Sequence, residues 1–234
     1  MNPVISIILP VLNEARFLGD TLAGLPTAPD LEIILVDGGS TDGTWELTAR
    51  WPHVRRLRAP QGRGCQMNAG ARSARGQLLA FLHADTRLEP AHLATLRQAA
   101  ADPTFAAGAF ELSLIPPVPA LRFIAWGANW RSRLFALPYG DQVLTLRRHL
   151  FYALGGFAHR RPEDLDLALR LRRCTRLRLL SPSVVSSGRR WLEAGYLATT
   201  RRHWLNLAHH LAERTLTKRW PALGDMDKFL GGGG

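Results

Sequence analysis

Two stretches of the chain, residues 4–9 (VISIIL) and 33–36 (IILV), are almost continuously apolar, broken only by Ser6. Apolar runs of this length without polar alternation predict strands covered on both faces. Pro10 closes the first strand and a helix follows over residues 13–25, before Pro26. The second strand spans 32–36, with a helix over 44–50 and a short strand over 54–58. Residues 62–75 read as a loop entering a helix, 78–82 as another buried strand, and 90–101 as a helix with Pro90 in its first turn. Strands alternating with helices at this spacing predict parallel βαβ units and an α/β fold. The later half is more mixed. A strand over 105–114 is followed by Pro116, Pro117 and Pro119, then an apolar, Arg-containing helix over 120–137. A strand over 142–147, a short helix over 149–154 ending at Gly155 and Gly156, a helix over 162–173 and a strand over 177–180 complete the pattern. The segment 191–220 is helical in period, basic and aromatic, and the Gly run 231–234 reads as a flexible tail. These elements fit one domain over 1–230: a Rossmann-like half (1–115), a second half (116–190) and a basic helical region (191–230).

With 234 residues and 46% apolar side chains the chain can bury one substantial core. No apolar stretch approaches the roughly 18 residues that a spanning helix needs. The N-terminus enters a strand at once and lacks the features of a signal peptide, so the expected location is cytoplasmic. Cys65 and Cys174 fit no metal spacing and read as thiols. The net charge of +11 is uneven: residues 1–50 carry seven acidic and two basic side chains, the remainder twelve acidic and 28 basic. Such asymmetry points to anionic partners for the later part, such as phosphates or acidic lipid. No nucleic-acid motif accompanies the charge, and nucleic acid is not an expected partner.

The most informative segment is residues 31–44, LEIILVDGGSTDGT, in which a buried strand ends in an acidic, Gly-rich turn. Asp37 stands at the carboxyl end of its strand, the edge where open α/β sheets bind ligands. A carboxylate there suits the N–H of a base or the hydroxyls of a ribose. Downstream, Leu82 leads into His83-Ala84-Asp85 at another strand end, and Glu163 and Asp164 share the first turn of a helix. A carboxylate at a helix N-terminus is held ionised and oriented, which suits a general base.

Residues 4–14 (VISIILPVLNE), 33–44, 63–70 (RGCQMNAG), 79–85 (LAFLHAD) and the Glu163-Asp164 pair occur in the order found in family 2 glycosyltransferases of the GT-A fold, and the chain resembles that family. The combination LHADT (82–86), GDQ (140–142) and SGRRW (187–191) is most similar to a small bacterial subgroup labelled radical-SAM- or selenodomain-associated. The resemblance implies a Rossmann-like nucleotide-binding half on a mixed, mostly parallel sheet flanked by helices. It implies transfer of a sugar from a nucleotide sugar, by family prevalence a UDP-sugar, to an acceptor hydroxyl with inversion. Pro10, Asn13, Glu14 and Asp37 then form the nucleoside pocket, Arg63 reaches base or phosphate, and Gln66 and Asn68 reach ribose or backbone. His83-Ala84-Asp85 replaces the metal-binding D-x-D, with Asp85 the ligand of Mn²⁺ or Mg²⁺ and His83 a contact to ribose or phosphate that favours Mn²⁺. Asp164 becomes the base, and Glu163 orients the acceptor or a neighbouring loop. Asp141 is placed beside donor or acceptor, Gly156 on the acceptor side, Arg190 over the diphosphate and Trp191 against a sugar face.

Competing readings stand beside these. Asn13 and Glu14 are ordinary helix-capping residues, Gln66 suits a polar loop, His83 a satisfied strand end, and Asp166 is a second carboxylate near the presumed base. The 191–220 segment suits contact with anionic membrane or packing in a homodimer. A nucleotidyltransferase and a non-catalytic nucleotide-sugar binder are the alternative functions.

Overall fold

The computed structural model describes residues 4–158 and 162–196, together with 200, 201 and 205. Every residue of β1 (Ile5–Val11) is buried. Ile5, Ile7 and Leu9 join one hydrophobic cluster while Ile8 joins another, because successive side chains of a strand point to opposite faces. β2 (Leu31–Asp37) divides in the same way: Ile33 and Leu35 go to the first cluster, Ile34 and Val36 to the second. The first cluster is closed by Leu18 and Leu22 of α1 (Ala15–Gly24) and by Leu93 and Leu96 of a later helix. Continuous apolar runs are thus explained by helices on both faces of the sheet.

After β2 come α2 (Thr44–Leu47), which tightens into a 3₁₀ turn, β3 (Val54–Arg58), α3 (Arg63–Ser73), β4 (Leu78–Phe81), β5 (Thr86–Arg87) and α4 (Pro90–Ala101). They are followed by β6 (Ala107–Ile115), α5 (Pro119–Phe135), β7 (Thr145–Arg147), α6 (Arg148–Ala153), α7 (Glu163–Cys174), β8 (Leu177–Ser187) and α8 (Arg189–Ala194). The eight strands form one sheet in the order β3-β2-β1-β4-β7-β6-β8-β5. The ladders β2–β3, β1–β2, β1–β4 and β6–β8 are parallel and the other three are antiparallel. The expected mixed, mostly parallel sheet is therefore present. Met67 and Ala71 of α3, Phe151 of α6 and Leu167 and Leu171 of α7 cover the face opposite α1 and α4.

Besides the two-residue β5, which the pattern does not announce, two elements differ from the sequence pattern. β8 runs seven residues beyond the predicted 177–180, to Ser187. Its pairing with β6 jumps from Phe110↔Leu180 to Leu112↔Val184, so Ser181, Pro182 and Ser183 bulge out. A bulge accommodates the proline, which has no N–H to give a ladder. Polar residues in that bulge hide the continuation of the strand. The second difference is at 142–147, where only Thr145–Arg147 is strand and Gly140–Gln142 form a 3₁₀ turn. Gln142 instead uses its side chain: it accepts from Ser132 Oγ at 2.8 Å and donates to the Phe110 carbonyl at 3.0 Å. Among the described residues no helix is long and apolar enough to cross a membrane. The expected Gly tail and most of the 191–230 region lie outside the described residues.

Candidate functional site

The loops after β1, β2 and β4 meet the first turns of α3, α7 and α8. Asn13 and Asp42 lace the first two loops together: the Thr41 N–H donates to Asn13 Oδ1 at 2.9 Å and the Ala15 N–H to Asp42 Oδ2 at 3.0 Å. Neither Asn13 nor Glu14 caps α1 through its side chain. Asp37 is buried, and its carboxylate accepts from the backbone N–H groups of Gly39 and Ser40 at 3.1–3.3 Å and from the Ser40 hydroxyl. It builds the turn as well as standing at the strand end where the sequence put it. Pro10 lies within β1, buried and paired with Val36.

Beside this turn, Arg189 donates to both oxygens of Glu14 at 2.9 and 3.0 Å, and its Nε lies 3.3 Å from Asp85 Oδ2. The guanidinium also stacks 4.3 Å from the centre of the Phe17 ring. One cation thus ties the loop after β1 to the loop after β4. The sequence reading placed Arg190 here. The structure places Arg189 here, the first residue of α8 after Gly188, and the expectation for Arg190 falls on a side chain outside the described residues.

A second group surrounds Arg63, at the start of α3. Its Nε donates to Glu163 Oε1 at 2.5 Å, a terminal nitrogen lies 3.2 Å from Asp164 Oδ2, and the other lies 3.5 Å from His83 Nε2. Glu163, Asp164 and His83 are all buried. Burial pushes the Asp164 carboxyl up to about 6, with Glu163 and Asp141 adding to the rise, while Arg63 and the Gly140 N–H oppose it. Burial works against the Arg63 charge, but Asp164 and Glu163 outweigh it and hold the guanidinium protonated. Asp166, the competing carboxylate, is committed elsewhere: Arg170 donates to it at 2.8 Å along the helix. Arg160 and Arg161 lie outside the described residues.

Gly140 closes this pocket. A Cβ built there would stand 2.5 Å from His83 Nε2 and 2.6 Å from Asp164 Oδ2. Only glycine lets the turn that carries Asp141 approach so closely. The turn is held from α5, where Arg131 donates to the Leu137 carbonyl at 2.9 Å and lies 3.8 Å over the Tyr139 ring. We expect Gly140→Ala to cost about 1–3 kcal/mol through overpacking. Chemical denaturation measures this, and an unchanged midpoint would show that the turn can retreat.

Several predicted site residues serve the scaffold. Gln66 is buried and donates to the Val11 and Val36 carbonyls at 2.7 and 2.8 Å, pinning the ends of β1 and β2. Asn68 exchanges two 2.9 Å hydrogen bonds with the backbone of Phe157. Of the two readings open for these residues, ribose or backbone, the structure gives backbone. Gly156 has φ of +69° and accepts from Arg170 at 2.7 Å, behind α3. Ala84 is buried, its carbonyl accepting from Thr21 Oγ1. Trp191 corrects an expectation: it is 6% exposed and packs with Leu112, Leu114 and Leu121. Its ring belongs to the core between β6, α5 and α8, so it presents no face to a sugar. Arg189, Gly140 and Arg131 are the site residues that the sequence reading did not single out. The RR pair and the GDQ turn were the signals available for the first two.

Comparison with known proteins places this geometry. The family described as Glycosyl transferase family 2 matches residues 6–165. An uncharacterized glycosyltransferase of Nostoc sp. is 36% identical over 94 residues, 37% of this chain and 29% of that protein. The matched stretch is therefore less than a third of that relative's length. A mannosyltransferase from Pyrobaculum calidifontis, solved with GDP-Man and Mn²⁺, superposes with a TM-score of 0.67 at 24% identity, over 95% of this chain and 67% of that one. TarS of S. aureus (residues 1–349), solved with UDP-GlcNAc, gives 0.63 at 16%, over 78% of this chain and 58% of that one. At these identities the structures speak to the fold, and they bear out the expected GT-A architecture.

Proposed function

The chain belongs to glycosyl transferase family 2, and from that premise we infer that it moves a sugar from a nucleotide-sugar donor to an acceptor hydroxyl, with inversion at the anomeric carbon. The observation that carries this reading is Asp164: a buried carboxylate at a helix N-terminus, raised to about 6, facing His83 across Gly140. A base poised near neutral pH takes the acceptor's proton as the oxygen attacks, and the nucleoside diphosphate leaves. Glu163 holds Arg63, and Arg63 holds Asp164 in place. Asp37, Asn13 and Glu14 line the nucleoside side, and Arg63 and Arg189 are the guanidinium groups that offset the leaving diphosphate. Asp141 borders donor and acceptor.

A divalent cation fits in one form only. Among the described residues no group of three or more His, Cys, Asp and Glu side chains is placed to hold a metal. The protein's donor set is Asp85, with the His83 imidazole two residues before it. Such a set suits Mg²⁺ or Mn²⁺ that keeps its waters and arrives on a diphosphate, since these ions need only one or two carboxylates beside substrate phosphates. When bound, the ion offsets charge on the leaving group. Arg189 lies 3.3 Å from the Asp85 carboxylate that would hold the ion.

The donor we propose is a UDP-sugar, supported by the TarS likeness and by the family resemblance, with a guanosine donor as the competing outcome. The test is thermal stability against nucleoside diphosphates and nucleotide sugars, with and without Mn²⁺ or Mg²⁺. Ligand at 100 times its Kd stabilises by about 2.7 kcal/mol, several degrees for a chain of this size. The shift is expected to require the metal and to disappear in Asp85→Ala. A folded protein that no nucleotide stabilises would remove the reading. Product analysis separates the nucleotidyltransferase alternative, which releases pyrophosphate where sugar transfer releases a nucleoside diphosphate.

A further inference from the structure

The outer face of α5 is apolar and, among the described residues, uncovered. Phe123, Trp126, Trp130 and Leu134 are 70%, 56%, 43% and 64% exposed. Their spacing of three, four and four residues makes one helical stripe. The rings form a continuous surface: Phe123 stacks on Trp126 at 5.6 Å and Trp126 meets Trp130 at 6.0 Å. Packing does not require them, because the opposite face of the helix, with Leu121, Ala125, Ala128 and Ser132, is the one buried. Single exposed apolar residues are ordinary, but a contiguous aromatic stripe marks a contact surface.

The charges on α5 select the partner. The helix holds no acidic residue and three Arg, of which Arg131 is committed to the Leu137 carbonyl and the Tyr139 ring, Arg133 pairs with Glu111 of β6, and Arg122 faces solvent. Arg122 is exposed and lies one turn from Trp126, while Arg133, exposed but paired with Glu111, lies one turn from Trp130. Aromatic rings edged by guanidinium groups match a bilayer interface, where Trp and Phe enter the acyl boundary and cations meet anionic headgroups. A symmetric contact with a second copy would set the stripe against itself and bring the like charges together. We propose that α5 docks this protein onto anionic lipid surfaces. The helix is fixed to the 136–142 turn through Arg131, so docking anchors the wall of the site that carries Gly140 and Asp141.

The experiment is co-sedimentation of the full chain with phosphatidylglycerol–phosphatidylcholine vesicles and with pure phosphatidylcholine vesicles, at low and high salt. We expect binding to the anionic vesicles, weakened by salt, with blue-shifted tryptophan emission. The double variant Trp126→Ser/Trp130→Ser is expected to lose at least about tenfold in partitioning, and Arg122→Glu a smaller part. These side chains are exposed, and retained melting points verify that the variants fold. Undiminished vesicle binding by the double variant would overturn the proposal in favour of the basic 191–234 region. A dimer in sedimentation analysis that the same variant dissociates would overturn it in favour of a second copy. Neither readout needs donor or acceptor, so the sugar-transfer reading stands or falls separately.

Discussion

Asp164→Asn is expected to lower transfer by about 10²–10⁴-fold while leaving donor affinity within a few-fold. Asn keeps the shape of the side chain and its place beside Gly140 and Arg63, but it accepts no proton. The wild-type rate should rise with pH and level off above about 6, the value to which burial raises this carboxyl. The variant should lose that limb. The consequence for stability has the opposite sign. A carboxyl whose native value lies above its unfolded value of 3.8 is favourable to folding when protonated, and that contribution is lost as pH rises through about 6. At pH 8 the ionised group costs the native state up to about 3 kcal/mol. The Asn variant should therefore melt several degrees higher than wild type at pH 8, with a smaller gain at pH 5. Rate profiles and thermal melts at the two pH values check both halves. Unchanged turnover would remove Asp164 as the base, and a lowered melting point at pH 8 would show that its pairing with Arg63 outweighs its burial.

Arg63→Met carries the largest expected loss of stability. Glu163 is 2% and Asp164 is 6% exposed, and Arg63 contacts both. Removing one partner leaves buried charge uncompensated, a change that costs about 3–5 kcal/mol. Met preserves much of the aliphatic stem, so the loss reports the guanidinium more than the packing. The cost should be greatest at pH 8 and shrink toward pH 5, as Asp164 takes up its proton. Thermal melts of both proteins at the two pH values provide the check. An equal loss at both would point to packing around the start of α3. Neutralising one carboxylate instead, with Glu163→Gln, should be milder, because Asp164 remains to hold Arg63.

The two experiments bear on different links in one arrangement. Asp164 is the base we propose for the reacting oxygen, while Arg63 keeps two carboxylates and His83 within one small volume. Arg189 has the corresponding place beside the Asp37 turn, joining Glu14 to Asp85 across 71 positions of chain. Both guanidinium groups start or nearly start a helix. Their reach therefore depends on how α3 and α8 are laid against the sheet.

Much of this was legible along the chain, for a local reason. A strand covered on both faces must be apolar at consecutive positions, so residues 33–36 announce β2 without reference to any other segment. A helix with proline in its first turn announces its start, and α4 begins at Pro90 as expected. Asp37 and Asp85 follow buried runs, and strand ends are where such residues meet ligands. Glu163 and Asp164 were equally visible as a paired first turn. What period and propensity could not express was partnership. β5 is two residues long and exists only because β8 lies beside it, and β8 continues past Pro182 only because a bulge absorbs three residues.

By itself, then, the sequence determined the alternation of strands and helices, the carboxyl edge at which chemistry collects, and the acids that collect there. Each is set by the period of side chains along a single segment. The tertiary structure alone decided which neighbours those acids have. It brought Arg63 to Glu163 over 100 positions, brought Arg189 to Asp85, turned Gln66 and Asn68 to backbone, and buried Trp191. Those outcomes follow from strand order and helix rotation. Both are properties of how distant segments pack, and no local pattern carries them.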